Sequence, residues 1–445
     1  MTRRALVIAY FFPPLGGVGV QRSLKYVTYL PDSGWEPVVI APRDPAYWLV
    51  DPGSLARLPG GLEVHRSFIY EPARLHRTLS RLAGRGRRTT AERLAAAGDG
   101  SPRGAARRLA RWAWSTAVRT LTFPDEQMTW IPWAVRSAVR AHRRQPAHAI
   151  YSSASPVTAH LVAGLAKRRT GLPWIADFRD PWIGNSFLRP LPRPYRRLQR
   201  RVERWIVETA DRVVFTTPSL QARYADRYPQ AAARFATIPN GYDLADLSDA
   251  PAAVGRSAGG RFHLIYTGGI YGVHELAIFL DGVELALKRR PDLRERLDVE
   301  LLGWLDEPNQ ALAARYLLPE RLGRVVRLSG WVPRPQALAR LRAADAGLLL
   351  LAGGPDRDLF VGSKLYDYLG LDRQVLAVVP PGDARRVLAD LQWGIVADPT
   401  PQGVADGLER LLATPAPDRP ADPERRYDRR ALTARLAALL DEVAR

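Results

Sequence analysis

Apolar and polar residues follow two rhythms along this chain. Short, nearly unbroken apolar runs mark strands buried on both faces. The longer segments between them carry apolar residues every third or fourth position, as helices with one buried face do. In the N-terminal half the pattern predicts strands over 6–12, 37–41, 148–152, 174–177 and 212–216, with helices over 20–30, 131–143, 157–169 and 195–209. A stretch rich in Gly, Asp, Ser and Ala follows at 240–260, and then the alternation restarts. Strands are predicted over 262–267, 297–303, 325–329, 346–351, 375–379 and 394–396, and helices over 275–288, 309–317, 335–343, 364–371 and 403–413. Such alternation predicts an α/β protein whose parallel sheets are covered by helices. The break places an N-terminal Rossmann-like domain at 1–240 with an insertion at 74–119, a linker at 241–260 and a second Rossmann-like domain at 261–420. A C-terminal helix over 421–445 can pack back on the first domain. Doubly wound sheets hold ligands at the carboxyl ends of their strands. The two domains are therefore expected to face each other across a ligand-binding cleft.

Composition narrows the chemistry. The 445 residues include no cysteine, which excludes disulfides, thiolate metal sites and cysteine nucleophiles. A reducing, cytoplasmic setting is expected. No apolar run is long enough to span a bilayer. The opening run ALVIAYFF ends at Pro13-Pro14 and reads as a buried strand rather than a secretory signal. The formal net charge is +20, and it is concentrated. Residues 74–119 hold twelve arginines against Glu92 and Asp99, and 189–204 hold seven against Glu203. Clusters of this kind point to a polyanionic neighbour. In the first, Leu109, Trp112, Ala113 and Thr116 recur at helical spacing, with Arg107, Arg108 and Arg111 across from them. Tryptophan and arginine on one amphipathic stretch suit an anionic membrane surface, and a solvated basic face over buried tryptophans is the plainer alternative. No nucleic-acid-binding motif is present, so no nucleic-acid partner is expected.

The first strand runs into PPLGGVGVQR. Gly16 and Gly17 let backbone amides approach a phosphate, and Arg22 adds a positive charge. Neither a dinucleotide fingerprint nor a P-loop is present. At the end of a later strand stands DFRDPW. There Arg179 can bind a phosphate or sugar hydroxyl and Asp180 can orient a hydroxyl, unless the two simply fix the loop. In the second half, Gly268 and Gly269 close one strand, and Trp331 and Val332 follow another. Ser363 and Lys364 open a helix that carries Asp367 and Tyr368. Lys364 and Asp367 share its first turn. A lysine there can neutralise a diphosphate and a carboxylate can accept from hydroxyls, or the two form a surface ion pair. Asp356 and Asp358 have the spacing of a metal-binding pair, but no histidine pairing supports a metal site and none is expected.

Four blocks resemble family 4 glycosyltransferases of the GT-B fold, in family order. They are FFPPLGGVGVQR with GWEPVVIAP; YSSASPVTAHLVAGLAKRRTGLPWIADFRDPW; RVVFTTPSLQARY with ATIPNGYDL; and the set FHLIYTGGIYG, LSGWVPRPQALARLRAADAGLLLL and GSKLYDYLGLDRQVLAV. The resemblance implies an acceptor-side N-terminal domain and a nucleotide-sugar-binding C-terminal one. It implies transfer of a hexosyl unit to an acceptor hydroxyl, with retention, without metal or cofactor, the nucleoside diphosphate sugar being a co-substrate. Donor contacts would come from Gly16, Gly17, Arg22, Gly268, Gly269, His274, Trp331, Val332, Ser363, Lys364, Asp367 and Tyr368. Asp180, Arg179 and Lys364 would be the catalytic set. Arg107, Arg108, Arg111 and Trp112 would face the acceptor or membrane. The chain departs from the family twice. Leu359, beside Asp358, stands where relatives commonly have the first of two glutamates, and Arg179-Asp180 stands where many have His-Asp. A lipid-linked or cell-envelope saccharide acceptor on the inner face of the plasma membrane is expected. The alternatives are a soluble natural-product acceptor and a catalytically silent protein that binds nucleotide sugar as a partner.

Overall fold

A computed structural model of the chain describes residues 2–47, 49–71, 122–185, 193–249, 251, 260–270, 273–351 and 356–445, the side chains of 273 and 274 excepted. The chain forms two compact units: Met1–Thr216 with Leu220–Ile238 and Thr433–Arg445, and Thr217–Ser219 with Pro239–Leu432.

Among the described residues the first unit is built on seven strands: β1 (Arg3–Ile8), β2 (Trp35–Pro42), β3 (Glu63–Ser67), β4 (Ala149–Ala154), β5 (Trp174–Phe178), β6 (Arg212–Phe215) and β7 (Phe235–Thr237). Their order is β3-β2-β1-β4-β5-β6-β7 and every neighbouring pair is parallel. The register sets Ile8 between Ile40 and Ser152. Central strands here are buried almost throughout, so their sequences lack a polar face. The helix Ile131–Arg144 has proline near its start and His142, Arg143 and Arg144 in its last turn, where positive charge complements the carbonyl ends. The helices Thr158–Thr170 and Arg193–Thr209 pack side by side. Their close approach requires glycine: a Cβ on Gly164 would lie 2.5 Å from the Trp205 ring. The end of the helix Arg429–Val443 belongs to this unit, where Asp441 accepts from Trp35 Nε1 at 2.7 Å and pairs with Arg3 at 2.6 Å.

The second unit has six described strands: β8 (Phe262–Thr267), β9 (Leu297–Leu302), β10 (Val326–Gly330), β11 (Ala346–Leu350), β12 (Gln374–Val378) and β13 (Ile395–Ala397). They are all parallel, in the order β10-β9-β8-β11-β12-β13. Alternate residues feed two cores. Leu348 and Leu350 join the helices Val273–Arg289 and Pro401–Ala413 on one face, and Leu349 joins Leu365, Tyr368 and Leu369 on the other. In both sheets the order reverses between the first and fourth strands, β1/β4 and β8/β11, which are the topological switch points.

The structure adds elements that the pattern did not predict. β3 and β7 are half-buried edge strands, β3 mostly polar and β7 only three residues long, and the helices Pro218–Arg227 and Asp383–Leu391 are short. Within the expected linker, Tyr242 is buried and Asp243 caps a helix at Leu244–Ser248. Among the described residues no helix is long and apolar enough to cross a membrane.

Candidate functional site

Around the switch point of the second sheet the backbone is drawn tight. The Gly268 amide donates to the Leu302 carbonyl at 2.8 Å and the Ile270 amide to the Trp304 carbonyl at 2.9 Å, so the turns after β8 and β9 run together. Gly303 makes this possible. It has φ +146°, and a Cβ there would fall 1.9 Å from the Gly268 oxygen. The Tyr266 hydroxyl donates to the Gly269 carbonyl at 2.8 Å. From β11 the helix Ser363–Gly370 brings Lys364 to the same place, its Cε 3.7 Å from where a Gly268 Cβ would be. Its ammonium lies 4.5 Å from the centre of the Tyr266 ring, an attractive cation–π distance. Ser363, half-buried, is the first residue of that helix.

Asp367 sits one turn further along, with its side chain 16% exposed. Both its oxygens are held by the Arg334 guanidinium, at 2.9 and 2.8 Å. Burial lowers the guanidinium's pKa, but the facing Asp367 carboxylate outweighs it and holds the arginine above its ordinary value. A bidentate fork leaves each carboxylate oxygen a lone pair for another donor. Arg334 is not among the residues that the sequence singles out. Its signal was its place in the first turn after Trp331-Val332-Pro333.

Tyr368, expected among the donor contacts, is placed otherwise. It is fully buried, donates to the Leu348 carbonyl at 3.0 Å and accepts from the Thr267 amide at 3.3 Å. Burial pushes its phenol up to about 12. Successive helical residues lie about 100° apart, so a helix that presents Asp367 outward turns Tyr368 into the sheet. At the end of β10, Trp331 is 58% exposed, whereas Val332 packs on the core beneath. Trp304, 41% exposed at the end of neighbouring β9, repeats the pattern. Its signal was the dipeptide Gly303-Trp304, matching Gly330-Trp331. Leu359 is a buried core residue, so the first family glutamate has no polar counterpart at that position. Glu275 and Arg357 form a largely buried pair at 3.2 Å. The side chain of His274 lies outside the described residues. Among those residues, no three His, Asp or Glu side chains gather as metal ligands would.

The first sheet's end is closed by its own charges. Arg22 is 1% exposed and does not reach out toward a phosphate. Its Nε and Nη2 donate to Asp177 at 2.6 and 3.0 Å, and Nη2 also to the Ile238 carbonyl at 2.9 Å. Tyr151 donates to the same aspartate. Burial alone would lower the arginine's pKa, but Asp177 holds it above its ordinary value. The expectation of Arg22 as a donor contact is therefore corrected: an apolar strand end took in an ion pair that local spacing could not reveal. Arg179 ties loops together, donating to the carbonyls of Ala154 at 3.0 Å, Gly19 at 2.6 Å and Ser155 at 2.6 Å. Asp180 beside it is half-buried, and burial raises its carboxyl against the pull of Arg179. Among the described residues no hydrogen bond engages that carboxylate. The Gly16 amide donates to the Leu49 carbonyl at 3.0 Å, and Gly17 precedes the helix Val18–Tyr29 with φ +90°. His160 is fully buried, with Nδ1 2.8 Å from the Ser152 hydroxyl; burial pushes it down to about 3, so it stays neutral. Arg107, Arg108, Arg111 and Trp112 lie outside the described residues.

The glycine-closed switch point and its lysine, aspartate and arginine can be set beside known proteins. Residues 93–246 match the family described as Glycosyltransferase Family 4. A D-inositol 3-phosphate glycosyltransferase of Paenarthrobacter aurescens (strain TC1) is 26% identical over 234 residues, which are 52% of this chain and 55% of that protein. The match thus spans about half of the relative's length. Three solved structures are similar across the chain in fold. A glycosyltransferase from Rickettsia africae ESF-5 has a TM-score of 0.62 at 9% identity, covering 99% of this chain and 98% of that one. An α,α-trehalose 6-phosphate synthase from Burkholderia multivorans has a TM-score of 0.62 at 14% identity, covering 100% and 99%. Anabaena HepE in complex with UDP and glucose has a TM-score of 0.58 at 15% identity, covering 99% and 100%. By sequence, residues 93–246 are similar to the family 4 glycosyltransferases, and the two parallel sheets match glycosyltransferase structures of the GT-B fold.

Proposed function

We propose that the protein transfers a hexosyl unit from a nucleoside diphosphate sugar to an acceptor hydroxyl, with retention at the anomeric carbon and without a metal. The observation that carries this reading is the approach of Lys364 to Gly268 at the switch point of the second sheet, with Asp367 one turn along the same helix. A glycine turn admits a diphosphate close to the backbone, and Lys364 supplies the opposing charge. Asp367, steadied by Arg334, accepts from the ribose hydroxyls with the lone pairs that the arginine leaves. Trp331 offers a face to the base. The likeness to HepE, whose complex holds UDP and glucose, supports a donor of this class.

When the glycosidic bond breaks, its electron pair passes to the diphosphate oxygen. The acceptor hydroxyl forms the new bond to the anomeric carbon, and its proton passes to the departing diphosphate. The charge that develops there is stabilised by Lys364 and by backbone amides already in place. No protein base of tuned pKa is needed, in keeping with Arg179 where relatives often have histidine. Asp180 orients the acceptor hydroxyl, and Arg179 sets the loop that carries it. The acceptor in this reading is a lipid-linked or cell-envelope saccharide, met on the cytoplasmic face of the membrane. Its support is the clustering of arginine along the first unit's sequence.

The test is a thermal-shift screen of UDP-, GDP- and dTDP-sugars, since a ligand at 100 times its dissociation constant stabilises by about 2.7 kcal/mol. Mass spectrometry then follows product formation with and without EDTA. A donor that binds but is neither transferred nor hydrolysed would make the protein a silent nucleotide-sugar-binding partner. Activity abolished by EDTA would remove the metal-free mechanism.

A further inference from the structure

Three helices lie side by side over one face of the first sheet: Ile131–Arg144, Thr158–Thr170 and Arg193–Thr209, the middle one in contact with both others. Between the first two runs a groove of about 600 Å³. Its floor is apolar, formed by Val135, Val139 and Leu165, and its rim carries Arg136, Arg140, Arg143 and Arg169. Among the described residues no carboxylate lines it. Arg136, Arg140 and Arg143 are exposed and stand at i, i+4 and i+7, one ridge of like charge that repels itself. Among the described residues no carboxylate pairs with any of the three. Arg22 and Arg334, by contrast, are each held against an aspartate.

Two further features lie on the same helices. At the start of the first, Trp133 is 47% exposed and meets the 52% exposed Phe68 edge to face, ring centres 5.6 Å apart. On the third, Arg196, Arg197, Arg200 and Arg201 are exposed around an exposed Leu198. Guanidinium groups over an apolar floor, with aromatic rings at one end, complement a phosphate-bearing amphiphile.

We propose that this helical face docks on a bilayer containing anionic lipid, with a lipid phosphate on the Arg136–Arg140–Arg143 ridge and apolar chain in the groove beneath. The inference rests on the acceptor half of the function proposed above, and its test uses no turnover.

The test is co-sedimentation of the full chain with vesicles of phosphatidylcholine alone or mixed with phosphatidylglycerol, at low and high salt. The wild type should bind only the anionic vesicles, and salt should release it. A variant carrying Arg136→Glu, Arg140→Glu and Arg143→Glu should bind roughly a hundredfold more weakly. A control with the same charge change on the second unit (Lys288→Glu, Arg315→Glu, Arg324→Glu) should lose far less. Trp133→Ala should weaken binding by a few-fold. Equal binding of both vesicle types, or equal losses in the ridge and control variants, would overturn the proposal. Full release by millimolar inorganic diphosphate at matched ionic strength would also overturn it, assigning the ridge to a soluble phosphate. Calorimetry with nucleotide sugar on the same samples reports folding of the variants and keeps the outcomes separate. Loss of donor binding by the wild type breaks the donor reading alone.

Discussion

The two units share a doubly wound parallel sheet, yet they treat charge at their switch points in opposite ways. At the first sheet's end, Arg22 and Asp177 are buried against each other, and Arg179 gives its N–H groups to three backbone carbonyls. At the second, Lys364 stands against an aromatic ring and Asp367 remains partly exposed in the fork of Arg334. A buried, satisfied pair fixes loops in place and leaves little for a ligand. A partly open pair keeps lone pairs and charge at the surface of the site. The same fold thus makes a rigid frame in one unit and a set of polar handles in the other.

Breaking the frame should have the largest effect. Arg22→Leu leaves the Asp177 carboxylate buried without its partner, and removal of one member of a buried pair costs about 3–5 kcal/mol. Urea unfolding should show that loss, and the double variant Arg22→Leu/Asp177→Leu should recover part of it. If Arg22→Leu is as stable as wild type but binds donor poorly, the contrast between the two ends collapses.

Next comes the lysine handle. Lys364→Ala should lower kcat by about 10²–10³, the scale of losing one preorganised charge stabiliser, with a smaller loss of donor affinity. An effect confined to donor affinity would make Lys364 a ground-state contact. Asp367→Ala should then weaken donor binding by about 1.5–3 kcal/mol, the value of hydrogen bonds to a charged acceptor. Arg334→Lys, which cannot form the planar fork, should produce part of that loss. Calorimetry decides both, with thermal melts to report the fold.

The smallest effect at neutral pH, where it vanishes, is a pH dependence in the frame that emerges only in acid. Native His160 stays neutral down to about pH 3, whereas the unfolded chain takes up a proton near pH 6.5. Stability from this group is therefore complete above about pH 6.5 and falls as pH drops toward 3, by about 1.4 kcal/mol per unit. His160→Gln should flatten the curve of unfolding free energy against pH over that range. An unchanged slope would mean that other groups set the acid sensitivity.

The strands were legible because a central parallel strand has no solvent face, and its unbroken apolar run survives in the sequence. β3 was not, because an edge strand keeps polar residues that read as loop, and β7 was not, because three residues are too few to show a period. Lys364 and Asp367 share a helical turn, a relation that spacing states directly. The fork on Asp367 was hidden because Arg334 reaches it from another helix, 33 positions earlier in the chain.

By itself the sequence determined the alternation of strand and helix, the two-part division of the chain, the resemblance to family 4 glycosyltransferases and the local motifs that close each strand. Those follow from periodicity and short-range backbone geometry, which neighbouring residues impose on one another. Tertiary structure alone decided which charges face a ligand and which face each other. Arg22 and Asp177 are 155 positions apart. Only the packing of the helix Val18–Tyr29 on the parallel sheet brings them together, and only their shared burial makes them a pair.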